Sequence, residues 1–254
     1  ALVMRESKLI HGDCIEEMAK MDAGSVDLTV TSPPYDNLRT YEGSLQWNED
    51  IWKQVLEGLY RVTKDGGVVV WVVGDATIKG SETGTSFKQA LYAMECGFNL
   101  HDTMIYSKSS QPRQNGHRYE QQFEYMFVLG KGKVKIQNAV KEISKNAGKT
   151  VRRTCRDGGK DSLMESTSVV ANEKIKGNVW SYGSKVNATN HPAIFPEQLA
   201  HDHIMSWSNE GDTVFDPFLG SGTTGNVAKQ LNRSFIGIEK VKKYYDIAAA
   251  RIKD

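Results

Sequence analysis

The segment Thr31-Ser32-Pro33-Pro34-Tyr35 follows the β-branched run Val26 to Val30 and is the first candidate for chemistry. Consecutive prolines fix φ, stiffen the chain and push Ser32 toward an extended conformation. Carbonyl groups beside these prolines are kept out of helical hydrogen bonding, and Tyr35 adds a flat ring next to them. The segment therefore predicts a rigid pair of acceptors, the Ser32 hydroxyl and the Pro33 carbonyl, beside an aromatic plane.

Two adjacent acceptors suit an exocyclic amino group such as that of cytosine or adenine. The lone pair of this nitrogen is delocalised into the ring, so the nitrogen is a poor nucleophile. Acceptors holding its two hydrogens would favour a pyramidal nitrogen that attacks a methyl group in line, a reaction governed mainly by positioning. Tyr35 would stack on a base flipped out of a duplex. Taken alone, an S/T-P-P-Y sequence is more often a plain turn.

A second candidate is the glycine-rich segment Asp216 to Gly225, which lies between a strand-like and a helix-like run. Gly220, Gly222 and Gly225 satisfy G-x-G-x-x-G, and such glycines let a backbone approach a ligand closely. Glu239 follows Gly220 by 19 residues, close to the roughly 20-residue offset of an acid that holds ribose hydroxyls. The pair predicts an adenosine-containing cofactor, which could be a nicotinamide dinucleotide or S-adenosylmethionine.

The elements that would position these segments alternate between strands and helices. Strands are predicted at Val26–Val30, Val68–Val73, Leu100–Tyr106, Phe123–Leu129, Thr213–Phe215 and Ser234–Ile238, and helices at 48–62, 86–96, 197–207 and 224–231. Lys64 to Gly67 has the composition of a turn. Because the strands are apolar on both faces, we expect a doubly wound, mostly parallel α/β sheet.

Composition adds a charge division to this plan. The chain has 254 residues, of which 39% are hydrophobic and 25% charged, as in an ordinary globular protein. Residues 131–190 hold 13 Lys/Arg and 5 Asp/Glu, whereas the whole chain has a formal charge of +1. The α/β rhythm also disappears from Lys131 to Tyr182, which predicts an inserted module. Its basic surface could contact phosphates or simply be solvated.

Several other chemistries are disfavoured. Cys14, Cys96 and Cys155 form no C-x-x-C pair, and none follows a proline as a C5-cytosine nucleophile would. The histidines of His201-Asp202-His203 are interpreted as surface or packing residues rather than metal ligands, since i and i+2 diverge on a helix. Trp180 and Trp207 are more readily core residues than base-stacking ones. No apolar run approaches the roughly 20 residues of a membrane span, and residues 1–8 lack a secretory signal.

These elements, in this order, resemble the permuted (β-class) amino-group DNA methyltransferases of the N4-cytosine/N6-adenine type over nearly the whole chain. The matching elements are the G-D element (Leu9–Cys14), the catalytic tetrapeptide (Ser32–Tyr35), the strand element before the target-recognition region (Tyr119–Lys131), the element before the donor loop (His191–Pro196) and the donor loop itself (Asp216–Gly222). The resemblance implies a Rossmann-like methyltransferase sheet, S-adenosylmethionine as cofactor and double-stranded DNA as partner.

The resemblance also implies a division of the chain and a set of site residues. The expected parts are a catalytic half (1–130), a target-recognition insertion (131–182) and a donor-binding half (183–254). The expected catalytic residues are Ser32, Pro33, Pro34 and Tyr35. The expected donor-binding residues are Asp13, Cys14, Thr31, His191, Pro192, Phe195, Asp216, Pro217, Phe218, Gly220, Ser221, Gly222, Thr223, Thr224 and Glu239. The expected DNA-binding residues are Arg39, Arg113, His117, Arg118, Arg152, Arg153, Arg156 and Lys160. No metal is expected.

The target base is the finest of these expectations. Serine at the first tetrapeptide position is usual for N4-cytosine enzymes of the family, and Asp or Asn for N6-adenine enzymes. We therefore expect methylation at N4 of cytosine within a short duplex sequence, with N6 of adenine as the alternative. A nicotinamide oxidoreductase or an inactive DNA-binding protein is less favoured, because both leave Ser32–Tyr35 unexplained. A homodimer and a cognate restriction endonuclease remain open as partners, and we expect a cytoplasmic, nucleoid-associated protein of a prokaryote or phage.

Overall fold

The computed structural model describes residues 6–34, 47–108, 116–156, 163–183 and 196–252, with only the backbone for 153–156 and 163–165. The helices of these residues are α1 (Cys14–Ala19), α2 (Glu49–Val62), α3 (Thr85–Cys96), α4 (Glu197–Trp207), α5 (Thr223–Gln230) and α6 (Lys242–Ile252). The strands are β1 (Ser7–His11), β2 (Val26–Thr31), β3 (Thr63–Val73), β4 (Thr77–Ile78), β5 (Ser81–Glu82), β6 (Asn99–Lys108), β7 (Phe123–Gly130), β8 (Lys141–Ile143), β9 (Thr150–Arg156), β10 (Leu163–Val169), β11 (Glu173–Ile175), β12 (Val179–Tyr182), β13 (Thr213–Asp216) and β14 (Ser234–Glu239).

Eight strands form one sheet in the order β1-β14-β13-β2-β3-β7-β6-β12. Strand β7 runs antiparallel to both of its neighbours, and every other adjacent pair is parallel. The residues of β3 alternate between two buried faces: Val69, Trp71 and Val73 belong to the core cluster that includes α2 and α3, while the residues between them are buried on the other face. The predicted doubly wound, mostly parallel sheet is confirmed.

The order of the strands creates a switch point between β13 and β2. The connection from β13 through α5 leads to β14, and the connection from β2 through α2 leads the opposite way to β3. Since β13 and β2 are parallel neighbours, their carboxyl ends meet at the same edge of the sheet. Ligands of open α/β sheets bind at such a point, and the two segments singled out in the sequence begin here.

Helix α2 shows why these sequences fold as they do. Asn48 caps its first turn by accepting a hydrogen bond from the Ile51 N–H at 3.0 Å. Five of its side chains, Trp52, Val55, Leu56, Leu59 and Val62, are buried at helical spacing against the sheet. Burying each of these side chains contributes roughly 1.5–3 kcal/mol, so the amphipathic pattern alone determines which face packs inward.

Some elements differ from the sequence-based expectation. Strands β1 and β12 and helices α1 and α6 were not expected as elements, because they are short or mixed in polarity. Residues 64–67, expected as a turn, lie inside β3, where the register with β2 shifts between Val26 and Leu28. Gly66 has φ 83° there, so the polar residues bulge out of a strand that continues on both sides. No helix of the described residues is long and apolar enough to cross a membrane.

The chain divides into a large unit, residues 1–138 and 178–254, and a small unit, residues 139–177. In the small unit β8 pairs with β11 and β9 with β10, both antiparallel. Between these two ladders the Val170 N–H donates to the Lys149 carbonyl at 2.9 Å, and the Ser144 N–H to the Asn172 carbonyl at 2.9 Å. The small unit is therefore one two-stranded β-ribbon with an irregularity at 144–149.

The small unit is shorter than the insertion expected at 131–182. Residues 131–138 stay with the large unit, where the Lys131 N–H donates to the Gly67 carbonyl at 3.0 Å and the Gln137 N–H to the Ser206 carbonyl at 2.7 Å. At the other end, β12 pairs with β6 and adds an edge strand to the main sheet. Backbone pairing therefore decides both boundaries, although the side-chain composition gave no sign of it.

Candidate methyl-transfer site

A buried hydrogen bond joins the ends of β2 and β13. The Thr31 hydroxyl donates to Asp216 Oδ1 at 2.7 Å, and the Phe218 N–H donates to the same oxygen at 3.0 Å. The Thr224 hydroxyl donates to the Val30 carbonyl at 3.1 Å. Thr31 directly precedes the Ser32-Pro33-Pro34 segment, and Asp216 begins the glycine loop. The hydrogen bond between them therefore anchors the two segments to each other.

Burial governs the protonation of this anchor. Desolvation raises the pKa of Asp216 to about 7, although the hydrogen bonds from Thr31 and Phe218 oppose the rise. An isolated buried carboxylate is costly, so the protonated form is populated near neutral pH. The Thr31 hydroxyl and the Phe218 N–H can donate to Asp216 whether its carboxyl group is protonated or ionised. The hydrogen bonds of the anchor therefore persist when the charge of Asp216 changes.

Two glycines of the loop adopt left-handed backbone conformations, and a third is required for packing. Gly220 and Gly222 have φ 55° and 85°. A Cβ on Gly225 would lie 2.4 Å from the Phe235 ring, so α5 can approach β14 only with glycine here. The third glycine of the motif therefore contributes to helix–strand packing, and the first two shape the turn that faces the switch point.

Glu239 ends β14 and is bonded to the glycine loop. Its Oε2 accepts the Gly220 N–H at 2.8 Å and its Oε1 accepts the Val241 N–H at 2.8 Å. Desolvation raises the pKa of Glu239, and the backbone hydrogen bonds oppose the rise. Each carboxylate oxygen can accept a further hydrogen bond, which is what two ribose hydroxyls would need.

Asp13 and Cys14 lie at the end of β1, beside Glu239. The Gly12 N–H donates to the Glu239 carbonyl at 3.0 Å. Asp13 caps α1 by accepting the Ile15 N–H at 3.0 Å, and its other oxygen lies 3.2 Å from Lys240 Nζ. Burial raises the pKa of the Cys14 thiol to about 12, so the thiol stays protonated and is not a nucleophile.

An aromatic wall that the sequence did not reveal surrounds Phe218. The Trp47 ring lies 5.5 Å from the Phe218 ring in a T-shaped arrangement, and the Trp71 ring lies 6.4 Å away. The Trp71 indole donates to Gln89 Oε1 at 2.9 Å. Among the described residues, the buried Trp47 Nε1 and Gln89 Nε2 have no hydrogen-bond partner. No spacing in the sequence links these residues to the glycine loop, so only the fold identifies them.

The expected site residues fall into three groups. Ser32, Pro33, Pro34, Asp13, Cys14, Asp216, Pro217, Phe218, Gly220, Ser221, Gly222 and Glu239 lie at the edge of the sheet where β1, β2, β13 and β14 end. Thr31, Thr223 and Thr224 are buried, with hydroxyls bonded to other protein groups. Tyr35, His191, Pro192, Phe195, Arg39, Arg113 and Lys160 lie outside the described residues, as do the side chains of Arg153 and Arg156.

The basic residues expected at DNA have mixed surroundings. His117 and Arg152 are exposed. The Arg118 guanidinium donates to the Gly80 carbonyl and lies 3.9 Å from Glu82. Lys131, counted in the basic segment, instead donates to the Tyr60 and Thr63 carbonyls at 2.8 and 2.9 Å. Its charge therefore stabilises the end of α2, and it does not belong to a DNA-facing surface.

His203, Trp180 and Trp207 are buried packing residues, whereas His201 lies at the surface. His203 is fully buried, accepts the Trp207 indole N–H at 3.2 Å, and has a pKa lowered to about 3 by desolvation. Trp180 is buried against the His203 ring at 4.7 Å. Among the described residues, no group of three or more His, Cys, Asp or Glu side chains could hold a metal ion.

A doubly wound sheet with a glycine loop, a strand-end acid and a proline-stiffened acceptor segment at one switch point defines a site for an adenosine-containing cofactor beside a candidate substrate site. The chain belongs to the DNA methylase family N6_N4_Mtase, whose profile matches residues 26–250. It is thus a DNA methyltransferase of the amino-group type, and its methyl donor is S-adenosylmethionine.

Individual relatives agree with this assignment. The orphan methyltransferase M.BamHII of Bacillus amyloliquefaciens is 50% identical over 242 residues, covering 91% of this chain and 89% of the relative. The DNA adenine methyltransferase YhdJ of Escherichia coli K12 is 29% identical over 255 residues, covering 96% of this chain and 82% of the relative. The structure of the PvuII DNA methyltransferase (cytosine-N4-specific) superposes with a TM-score of 0.75 at 20% identity, covering 99% and 88%. The last likeness supports the fold.

The described residues fit the donor on physical grounds. The Glu239 carboxylate suits ribose hydroxyls, and Phe218 with Trp47 provides an apolar face for a flat adenine ring. Glu239 is bonded to the glycine turn, which would bring backbone rather than side chains toward a bound molecule.

Proposed function

We propose that this protein methylates N4 of cytosine within a short sequence of duplex DNA. Ser32 carries the proposal: it holds the first tetrapeptide position, immediately after Thr31, whose hydroxyl is bonded to the donor loop through Asp216. Serine there is usual for the N4-cytosine members of the family. The relative YhdJ is by its name an adenine enzyme, so N6 of adenine is the alternative.

The proposed chemistry depends on holding the amino group still. When bound, S-adenosylmethionine supplies an electrophilic methyl group. The Ser32 hydroxyl and the Pro33 carbonyl would accept the two amino hydrogens and leave the nitrogen lone pair directed at that group. Ser32 is half-buried and Pro33 is buried, so bulk water has only partial access to this segment. Such fixed acceptors contribute through positioning and preorganisation rather than by acting as a base.

The target base can be identified from the product. DNA from a host that lacks its own methyltransferases, expressing this protein, is hydrolysed to nucleosides and examined by mass spectrometry. We expect N4-methylcytosine, and a parallel culture expressing the Ser32→Ala variant should show none above background. If N6-methyladenine were the sole product, the assignment to cytosine would be wrong while the amino-group chemistry would stand.

We further propose that the small unit contacts the DNA. It is a two-stranded antiparallel β-ribbon, and the roughly 12 Å major groove of DNA admits such a ribbon. Strand β9 has the sequence TVRRTCR, with Arg152 exposed. The lysines at the base of the ribbon differ, because Lys141 pairs with Glu173 at 3.5 Å and Lys174 with Glu142 at 2.9 Å. In the β9–β10 ladder Glu165 lies opposite Thr154, so we propose exposed Arg152, opposite Thr167, as the phosphate-contacting residue of β9.

A salt titration would measure the role of Arg152. Arg152→Ala should weaken DNA binding at low salt and reduce the slope of log K against log salt by about 1, as expected for one lost phosphate contact. Lys174→Ala is the matched control, since its ammonium already pairs with Glu142, and it should leave the slope unchanged. Equal slopes for Arg152→Ala and the wild type would remove Arg152 from the phosphate-contacting set.

The remaining partners are predictions of the sequence. They are a homodimer, a cognate restriction endonuclease and association with the nucleoid. M.BamHII is named an orphan methyltransferase, so a companion endonuclease does not accompany every member of the family. We propose that this chain, too, acts without one.

A further inference from the structure

Arg251, in the last turn of α6, donates hydrogen bonds to the glycine loop. Arg251 Nη1 donates to the Ser221 carbonyl at 3.3 Å and to the Thr223 hydroxyl at 3.2 Å. Its Nη2 donates to the Glu197 carboxylate. The Arg251 side chain is 20% exposed, so its contacts are partly shielded from water. One guanidinium therefore connects the loop, the start of α5 and the start of α4.

The surrounding contacts show that α6 supports the loop directly. A Cβ on Gly222 would lie 3.0 Å from the Ala248 Cβ, which means that α6 packs against the turn itself. Lys229 of α5 donates to the Ile252 carbonyl at 3.1 Å. The apolar contact fixes the distance between α6 and the loop, whereas the Arg251 hydrogen bonds fix the orientation of particular loop groups.

Orientation matters because a peptide unit is planar. Holding the Ser221 carbonyl also fixes the N–H of Gly222 on the opposite side of the same plane, and that N–H donates to the Leu219 carbonyl at 2.9 Å. Gly222 has φ 85°, a conformation that the turn must keep for its backbone to face the switch point. The Thr223 hydroxyl, held by Arg251, begins α5 at the same place.

Glu197 gives the guanidinium its direction. It is the first residue of α4, and the helix dipole favours a negative charge at this end of a helix. The two guanidinium nitrogens donate to different partners, Nη2 to Glu197 and Nη1 to the loop, so lysine would reproduce the charge but not this geometry.

We propose that Arg251 is a positioning residue for the methyl donor: oriented by Glu197, it holds the Ser221 carbonyl and the Thr223 hydroxyl, and so preorganises the donor loop. In this proposal Arg251 acts on the donor only through the loop groups that it holds. The proposal concerns donor binding only, and therefore stands or falls separately from the choice between cytosine and adenine.

Calorimetry with S-adenosylhomocysteine, in the absence of DNA, tests the proposal. Arg251→Gln should raise Kd about tenfold, the effect expected for loss of charge-assisted hydrogen bonds. The KM for S-adenosylmethionine should rise in parallel, with kcat within about threefold of the wild type. Arg251→Lys should recover part of the affinity, and Glu197→Gln should weaken binding less than Arg251→Gln does. Combining Arg251→Gln with Glu197→Gln should add little to Arg251→Gln alone, because both act through one contact.

Lys242→Gln is the control on the same helix, since Lys242 is exposed and pairs with Asp246 one turn away. It should bind S-adenosylhomocysteine like the wild type. The proposal is overturned if Arg251→Gln lowers the melting temperature but leaves Kd and KM unchanged, since that result describes a purely structural arginine. Should Arg251→Gln fail to fold, Arg251→Lys and Glu197→Gln decide, and unchanged Kd in both would equally overturn it.

Discussion

Ser32→Ala is expected to reduce kcat for DNA methylation by about 10²–10³-fold, the usual cost of removing one preorganised hydrogen-bonding group at a reacting centre. The substitution removes the acceptor for one amino hydrogen. It leaves the Thr31–Asp216 hydrogen bond and the rest of the glycine loop in place. Single-turnover methylation of a duplex oligonucleotide measures the chemical step, and calorimetry with S-adenosylhomocysteine should give a Kd within about twofold of the wild type.

Ser25→Ala is the matched control for this substitution. Ser25 directly precedes β2, at the opposite end of the strand from Ser32, and its buried hydroxyl has no hydrogen-bond partner among the described residues. Losing it should change neither kcat nor donor affinity. If the Ser32→Ala enzyme methylated DNA at the wild-type rate, the proposed role of the Ser32 hydroxyl as an acceptor would be refuted.

The sequence predicted the sheet well where side chains carry the information. The run Val68–Val73 could only be a strand buried on both faces, and it is. The glycine loop and Glu239 were linked by their spacing, because a strand and a helix of ordinary length separate them. The structure adds that Glu239 also accepts the Gly220 N–H. Sequence patterns indicate which residues are buried and where the chain turns. The buried strand and the glycine loop depend mainly on these two properties.

Features that depend on distant partners could not be predicted in this way. Thr31 and Asp216 were both assigned to the donor, yet the hydrogen bond that joins them across 185 positions follows only from the order of the strands. Lys131 was counted as part of a basic insertion because composition does not show that its ammonium lies on the carbonyls of α2. Trp47 and Arg251 carry no motif, and each acquires its role from the element that it packs against.

The site at the end of β2 depends both on a local sequence pattern and on contacts between distant residues. A stiff acceptor segment is a local property of the sequence, and Ser32-Pro33-Pro34 could be recognised without a fold. Its use depends on a donor loop being held at a fixed place beside it. The Asp216 carboxyl group provides that connection by accepting hydrogen bonds from the Thr31 hydroxyl and the Phe218 N–H. The protonation of Asp216 should therefore affect the stability of the whole site.

Asp216→Asn is expected to flatten the pH dependence of the free energy of unfolding. Burial raises the pKa of Asp216 from 3.8 to about 7, so the folded protein binds more protons than the unfolded chain between these values. The stabilisation due to this group is present in full below pH ~4 and is lost as the pH rises through about 7. A shift of this size corresponds to roughly 4 kcal/mol. Asparagine keeps an oxygen acceptor for Thr31 and Phe218 but does not titrate.

Urea denaturation from pH 5 to pH 8 measures the effect as the difference between variant and wild type, which cancels the titration of every other group. The Asp216→Asn protein should gain stability relative to the wild type as the pH rises. Asp246→Asn, at an exposed position of α6, undergoes the same chemical change, and its difference from the wild type should vary far less. Parallel stability curves for Asp216→Asn and the wild type would mean that the carboxyl group is already charged throughout this range. The junction of β2 and the donor loop would then be held by an ionic acceptor, and the site would not respond to pH through Asp216.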